Sequence, residues 1–152
     1  MENATHWTDY LDEHNAFMEK TYHFSFLAAK ESEIAELKEK MNQENYVIGE
    51  EYYDFLSKTN GIDYNGMMIF AEKEYLFFED DIIYGIVEYN NDIADNEVED
   101  TNVYFGVMGD DLFAYTRENK WATMDIISGD IMDIYDSLDE FLFDIMKMLY
   151  GE

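Results

Sequence analysis

The chain has 152 residues, a length typical of one domain, and 47% of them are hydrophobic, which is enough apolar material for a core. Its 36 acidic residues outnumber the 9 basic ones, and the formal net charge is -27 at pH 7. A field of this sign repels phosphate groups, so direct binding of nucleic acid or of anionic membrane surfaces is excluded. It favours a basic protein partner; the alternative is that the acidity serves only solubility.

The chain contains no cysteine, so disulfides, thiolate zinc sites and cysteine nucleophiles are excluded. The first residues, MENATHWTDYLDEHN, have neither the basic start nor the continuous apolar stretch of a signal peptide. No apolar run approaches the ~20 residues that a membrane span needs. These observations predict a cytoplasmic protein that is stabilised by packing.

The N-terminal part of the chain predicts three helices. Apolar residues recur at near-helical spacing from Thr5 to Lys20, and SEIAELKEKM repeats this pattern with supporting Glu/Lys pairs. Glu50 to Thr59 carry the third apolar cluster. Asn60-Gly61 favours the end of this helix, because glycine readily adopts the left-handed conformation.

Beyond that turn the pattern becomes strand-like. MMIFA and EYLFF are short apolar or aromatic runs, bounded by Gly66 and by the acidic cluster Glu79 to Asp81. The segment IYGIVEYNNDIA is ambiguous between strand and helix, and its branched residues fit a helical face somewhat better. We therefore predict a short helix there, followed by a polar, acidic connection.

The C-terminal part contains four more strand candidates and a helix. The runs VYFGVMG, DLFAYTR, WATMDIIS and IMDIYD are separated by turn signals, which predicts an antiparallel meander. Ser137 to Glu140 has the form of a capping box and begins an apolar helical face. The order of elements predicts an α+β fold for residues 1–152 as a single domain. Its central, largely antiparallel sheet is flanked by N-terminal helices and closed by a C-terminal helix.

Few residues point to catalysis or to metal binding. His6 and His14 lie about two helical turns apart, which disfavours shared metal ligation. The serines stand in no Gly-x-Ser-x-Gly context, and no glycine-rich phosphate loop follows a predicted strand. The acidic segment from Asp92 to Asp100 lacks the ligand order of a calcium loop. We predict no catalytic residue, no cofactor and no metal ligand.

Acidic clusters at the predicted strand ends are candidate partner-binding sites, because lysines and arginines of a partner reach such positions easily. Exposed tyrosines near them would add the amphipathic contacts that are enriched in interfaces. The alternative is that the acids are solvated turns and the tyrosines are core. The predicted partner-binding residues are Glu79, Asp80, Asp81, Asp110, Asp111, Tyr104 and Tyr115.

Three segments occur in an order that resembles the SUKH superfamily: AAKESEIAELKEKM, EYYDFLSKTNGI and the run from YFGVMGDD to the C-terminal helix. In that family a helix ending in Tyr-x-x-Phe-Leu and an Asn-Gly turn precede the sheet, which Tyr53, Phe55-Leu56 and Asn60-Gly61 approximate. The family's meander ends in an Asp-Ser-x-x-Glu-Phe-Leu helix start, matched by the segment from Asp136 to Leu142. Where the family usually has Leu-Pro, this chain has Ile48-Gly49.

The resemblance implies an α+β domain and a role as an immunity protein that neutralises a cognate toxin by binding it. Such toxins are often nucleases with basic surfaces, which the acidic charge would complement. The family has no shared catalytic residues. One alternative is a regulatory or scaffolding protein-binding domain of the same fold. An alternative of another class is a carboxylate-based metal-binding protein or enzyme.

Overall fold

The structure is a computed structural model that describes residues 3–95 and 102–151. Within these ranges the chain forms five helices and eight strands, which confirms the predicted α+β fold. The helices are α1 (Trp7–Tyr22), α2 (Glu31–Gln43), α3 (Glu50–Leu56), α4 (Ile86–Asp95) and α5 (Leu138–Tyr150). The strands are β1 (Ile62–Tyr64), β2 (Met67–Ile69), β3 (Tyr75–Phe78), β4 (Asp81–Ile83), β5 (Val103–Met108), β6 (Asp111–Tyr115), β7 (Trp121–Asp125) and β8 (Ile131–Tyr135).

Six of the described strands form one antiparallel sheet in the order β1-β2-β5-β6-β7-β8. From β5 to β8 each strand pairs with the next along the chain, as the turn signals predict. The remaining pair, β3 and β4, forms a separate ribbon between β2 and α4 in the sequence. The isolated bridge between Ala71 and Gly85 closes the base of this ribbon.

Helix α5 packs on one face of the sheet through Phe141, which is fully buried. The ring of Phe141 lies 4.8 Å from Phe113, 5.2 Å from Phe105 and 5.2 Å from Tyr135, measured between ring centroids. These contacts join β5, β6 and β8 to one helix. On the same side Trp7 of α1 donates its indole N–H to Asp139 Oδ1 at 2.9 Å, so that α1 is tied to the start of α5.

The first turn of α5 is capped from two directions. The Ser137 hydroxyl accepts a hydrogen bond from the Glu140 N–H at 3.1 Å, which is the local half of the predicted capping box. The N–H groups of Leu138 and Asp139 donate instead to Glu51 Oε2 of α3, at 2.9 and 3.3 Å. A carboxylate at a helix N-terminus also interacts favourably with the helix dipole. Helices α3 and α5 are therefore linked by a charge-assisted contact.

Helix boundaries differ from the sequence interpretation by a few residues. Helix α1 begins at Trp7 and not at Thr5, because His6 caps it and Asp9 accepts the N–H groups that precede it. Helix α3 ends at Leu56, where the chain turns toward Gly61, a residue with φ 76°. Ile83, expected in the helix, closes strand β4.

Candidate protein-binding surface

The predicted acidic residues of the β3–β4 ribbon lie in an exposed turn. Glu79 and Asp80 connect the strands, and Glu79 adopts the left-handed conformation with φ 49°. Asp81 begins β4 and lies close enough to Asp63 of β1 for their charges to interact. Burial, followed by the charge of Asp81, raises the pKa of Asp63. This cluster therefore belongs to the β1 side of the molecule.

The other predicted acids lie across the sheet. Asp110 is exposed in the β5–β6 turn, and Asp111 pairs directly with Asp125 of β7. Burial raises the pKa of Asp111, and the nearby charges of Asp125, Asp110 and Asp133 raise it further. We call Asp110, Asp111, Asp125 and Asp133 the acidic end. The charges that act on Asp111 all belong to the acidic end, and none belongs to the β3–β4 ribbon. The acidic end and the cluster from Glu79 to Asp81 are therefore treated as two separate surfaces.

The two predicted tyrosines do not join either acidic cluster. Tyr104 is only 2% exposed and its backbone is hydrogen-bonded to the Asn90 side chain, so it is not the exposed tyrosine that the prediction assumed. It does contribute to the lining of a groove between the sheet and α4. Tyr115 is half-buried; its ring lies 4.7 Å from Trp121 and its hydroxyl donates to Asn119 at 3.2 Å. Tyr115 stands at the opposite end of β6 from Asp111.

The structure places a group of exposed apolar side chains beside the acidic end. These residues follow β7 or belong to β8, segments that the sequence interpretation assigned to strands without predicting exposure. We call them the apolar patch. The patch consists of Ile126, Ile127, Ile131, Met132 and Ile134, which are 50%, 86%, 41%, 46% and 61% exposed. Contiguous apolar surface rimmed by polar groups is typical of a protein-interaction site.

A fixed turn presents the first part of this patch. Asp125 Oδ1 accepts hydrogen bonds from the N–H groups of Ile127 and Ser128, at 2.8 and 2.9 Å. These two bonds lower the pKa of Asp125, so the carboxylate stays charged while it organises the turn. Gly129 has φ 75° and donates to the Asp125 carbonyl at 2.8 Å. The exposed side chain of Ile127 is thus held out by ordered backbone.

A groove continues from the patch toward α4. It has a volume of about 530 Å³. Leu112, Met124 and Ile131 line it from the sheet, and Tyr89 and Ile93 line it from α4. The lining is mostly apolar, as is common where a partner's side chain is received.

The faces of the sheet separate charge from apolar surface near β8. Through the pairings Phe113↔Thr123 and Thr123↔Asp133, Asp133 shares a face with Asp111 and Asp125. Ile134 pairs with Ala122 and so projects from the opposite face. The acidic end and the apolar patch therefore meet around the free edge of β8.

The histidines have structural roles in the described part of the chain. His6 caps α1, and His23 ends it in the left-handed conformation. His14 Nε2 donates to the Asp63 carbonyl at 3.1 Å, and burial lowers the His14 pKa. Among residues 3–95 and 102–151 no group of three or more His, Asp or Glu side chains is arranged to hold a metal ion. Glu97, Glu99 and Asp100 of the acidic connection lie outside the described residues, as does the side chain of Asp95.

No helix within the described ranges combines the length and the apolarity needed to cross a lipid bilayer. Comparison of the chain with protein-family models and with curated proteins finds no match in either case. The surface around β8 is therefore interpreted from its own chemistry.

Proposed function

We propose that this protein binds a basic protein partner at the corner of the sheet formed by the acidic end and the apolar patch, and that binding neutralises the partner. The observation that carries the proposal is the exposure of five apolar side chains between residues 126 and 134, next to four carboxylates. Side chains this apolar are exposed at a cost unless a partner covers them.

The two halves of the surface have different physical roles. Burial of the apolar patch removes hydrocarbon from water and provides affinity, while the acidic end and the net charge of -27 attract a cationic partner and speed its encounter. Lysine and arginine suit both halves, because their aliphatic stems pack on apolar residues and their charged heads reach the carboxylates.

The resemblance to SUKH immunity proteins supports neutralisation as the outcome. An acidic protein that covers a basic active-site groove blocks substrate by occupancy, without chemistry of its own. A regulatory or scaffolding role at the same surface is the alternative. The two are separated by the partner's activity, which is lost in a complex of the first kind and retained in one of the second.

The test is a capture experiment with matched variants. Tagged wild type, Ile127→Ser and Leu76→Ser are incubated with lysate of the source cell and with any toxin encoded beside the gene, at low and high salt. Leu76 is also an exposed apolar residue, 65% exposed, but it lies on the β3–β4 ribbon away from the patch. We expect wild type and Leu76→Ser to retain the same basic protein at low salt and Ile127→Ser to release it.

The captured protein is then assayed for its own activity with and without the complex. Equal capture by Ile127→Ser and wild type, or capture that is indifferent to salt, contradicts the proposed surface. A captured partner that stays fully active contradicts neutralisation and favours the regulatory role.

A further inference from the structure

We infer that β8 is a pairing edge, to which an extended, basic segment of the partner adds as a further strand of the six-stranded sheet. This inference rests on the proposed function, because it specifies how the same surface is used. It names the partner's local chemistry: a strand in which apolar residues alternate with lysine or arginine.

The register of β8 directs some of its backbone groups to its outer side. Asp125 of β7 donates its N–H to the Asp130 carbonyl at 2.9 Å, and Asp133 directs its own N–H to Thr123 Oγ1 of β7 at 3.2 Å. Backbone groups of successive residues in a strand point to opposite sides. The N–H and C=O of Ile134 therefore point away from β7, toward the free side of β8.

The edge carries neither lysine nor proline, two residues that commonly protect strand edges from pairing. Strand β8 has the sequence IMDIY, and its one charged residue, Asp133, would repel a strand of like charge. A register shift between Thr123 and Met124 makes Met132 the extra residue of a β-bulge. The bulge leaves the segment from Asp133 to Tyr135 as the regular part, in which Ile134 is 61% exposed.

The faces of the sheet define the pattern of the added strand. One face of β8 carries Asp133, beside Asp111 and Asp125, and the other carries Ile131 and Ile134. A strand laid against β8 presents its side chains alternately to these two faces. Cationic residues then meet the acidic end and apolar residues meet the patch, with a period of two.

A second copy of the chain is the less favourable occupant. Pairing of two β8 strands would bring two acidic ends together between chains that each carry a net charge of -27. Like charges opposite each other in a sheet are destabilising. A strand that carries lysine or arginine opposite Asp133 avoids this repulsion. Charge complementarity therefore selects the basic strand.

The probe is a synthetic peptide of alternating lysine and valine, and the matched controls are a peptide of alternating glutamate and valine and a lysine/valine peptide interrupted by prolines. Amide hydrogen exchange of the wild-type protein is followed residue by residue with each peptide. We expect the lysine/valine peptide to slow exchange of the Ile134 amide at least about tenfold, and the two controls to leave it unchanged.

A pair of substitutions tests the backbone contact separately. Ile134→Pro removes the outward N–H and leaves bonds to β7 in place, whereas Ile134→Ala keeps the N–H and removes most of the side chain. We expect Ile134→Pro to weaken peptide binding by at least about tenfold more than Ile134→Ala does. Thermal melting shows whether each variant is folded. If Ile134→Pro does not fold, the backbone contact is tested by protection of the Ile134 amide in the wild type.

The outcomes separate this inference from the proposed function. Salt-dependent binding of the lysine/valine peptide without protection of the Ile134 amide overturns the pairing edge and leaves the acidic surface intact. Equal binding of the proline-interrupted peptide does the same. Failure of every basic peptide to bind overturns the pairing edge, while the proposed function is decided by the capture experiment with Ile127→Ser and Leu76→Ser. Concentration-dependent dimerisation with a protected Ile134 amide assigns the edge to a second copy.

Discussion

At β1 the six-stranded sheet ends against other parts of the molecule, whereas at β8 its side chains are exposed. The Asp63 carbonyl of β1 accepts a hydrogen bond from His14 of α1, and the β3–β4 ribbon brings Asp81 close by. Ile62 and Tyr64 are buried, while Ile131 and Ile134 of β8 are not. One edge is contacted by other parts of the chain, and the other carries exposed apolar side chains.

The largest expected effect on stability comes from a substitution in the core beneath β8. Phe141→Ala takes away a fully buried ring that contacts Phe105, Phe113 and Tyr135, and it leaves a cavity. We expect a loss of about 3 to 5 kcal/mol in the free energy of unfolding. Denaturant unfolding measures it; a midpoint equal to that of wild type would show that α5 packs through another face.

The covered edge is tested next through His14. Its ring bonds the Asp63 carbonyl and contacts Tyr64 edge-on at 4.9 Å. We expect His14→Ala to cost about 1 to 2 kcal/mol and to speed amide exchange in β1 without changing exchange in β8. Ile134→Ala is the matched control on the open edge. Equal losses in the two variants would contradict the difference between the edges.

The same histidine gives the covered edge a pH dependence. Burial lowers the folded-state pKa of His14 below its usual 6.5, so the neutral ring is the form that the fold favours. The contribution of this site to the free energy of unfolding is largest above pH 6.5. It declines as the pH falls below 6.5, because the unfolded chain then binds the proton more readily than the folded chain does. Melting temperatures of wild type and His14→Gln over this range should converge as the pH is lowered.

At the open edge a charge should matter little for stability and much for binding. We expect Ile134→Lys to change the free energy of unfolding by less than about 0.5 kcal/mol, since the side chain is mostly exposed. An inward or outward lysine is a common guard against strand addition, so capture of the basic partner should fall sharply. Chemical denaturation and capture on the same preparations measure the two effects. A fully binding Ile134→Lys protein would argue against β8 as the contact.

The smallest expected change in stability has the opposite sign. Burial and neighbouring carboxylates raise the pKa of Asp111, so its charged form opposes folding at neutral pH and stability from this site increases as pH falls. Asp111→Asn should slightly raise the melting temperature at neutral pH, while it slows partner association at low salt. A lowered melting temperature would mean that Asp111 accepts stabilising contacts instead.

The sequence predicts local features well and exposure poorly. The meander from β5 to β8 follows from turn signals between neighbouring strands, and the Ser137 cap from a pattern four residues long. The Glu51 contact to Leu138 spans 87 residues, and no local pattern indicates it. Tyr104 and Ile134 illustrate the other limit: both belong to apolar strand patterns, and only the order of strands makes one buried and the other exposed.

Part of the candidate surface can be predicted from the sequence. Asp110 and Asp111 could be assigned to a turn because Gly109 precedes them, and they lie in the acidic end. Ile126 and Ile127 stand next to the turn residues Ser128, Gly129 and Asp130 in the sequence, and in the structure they form the turn after β7 together with Ser128. Apolar residues at a turn are unusual, and they mark the patch.

The contact between Glu51 and α5 has a consequence for the order of folding. Strands β5 to β8 pair with sequence neighbours, so their contacts close short loops, whereas the Glu51 carboxylate meets the Leu138 N–H across 87 residues. We expect the meander to assemble early and the first turn of α5 to be completed late, once α3 has docked. During that interval the β8 edge would already be formed while the first turn of α5 is still incomplete.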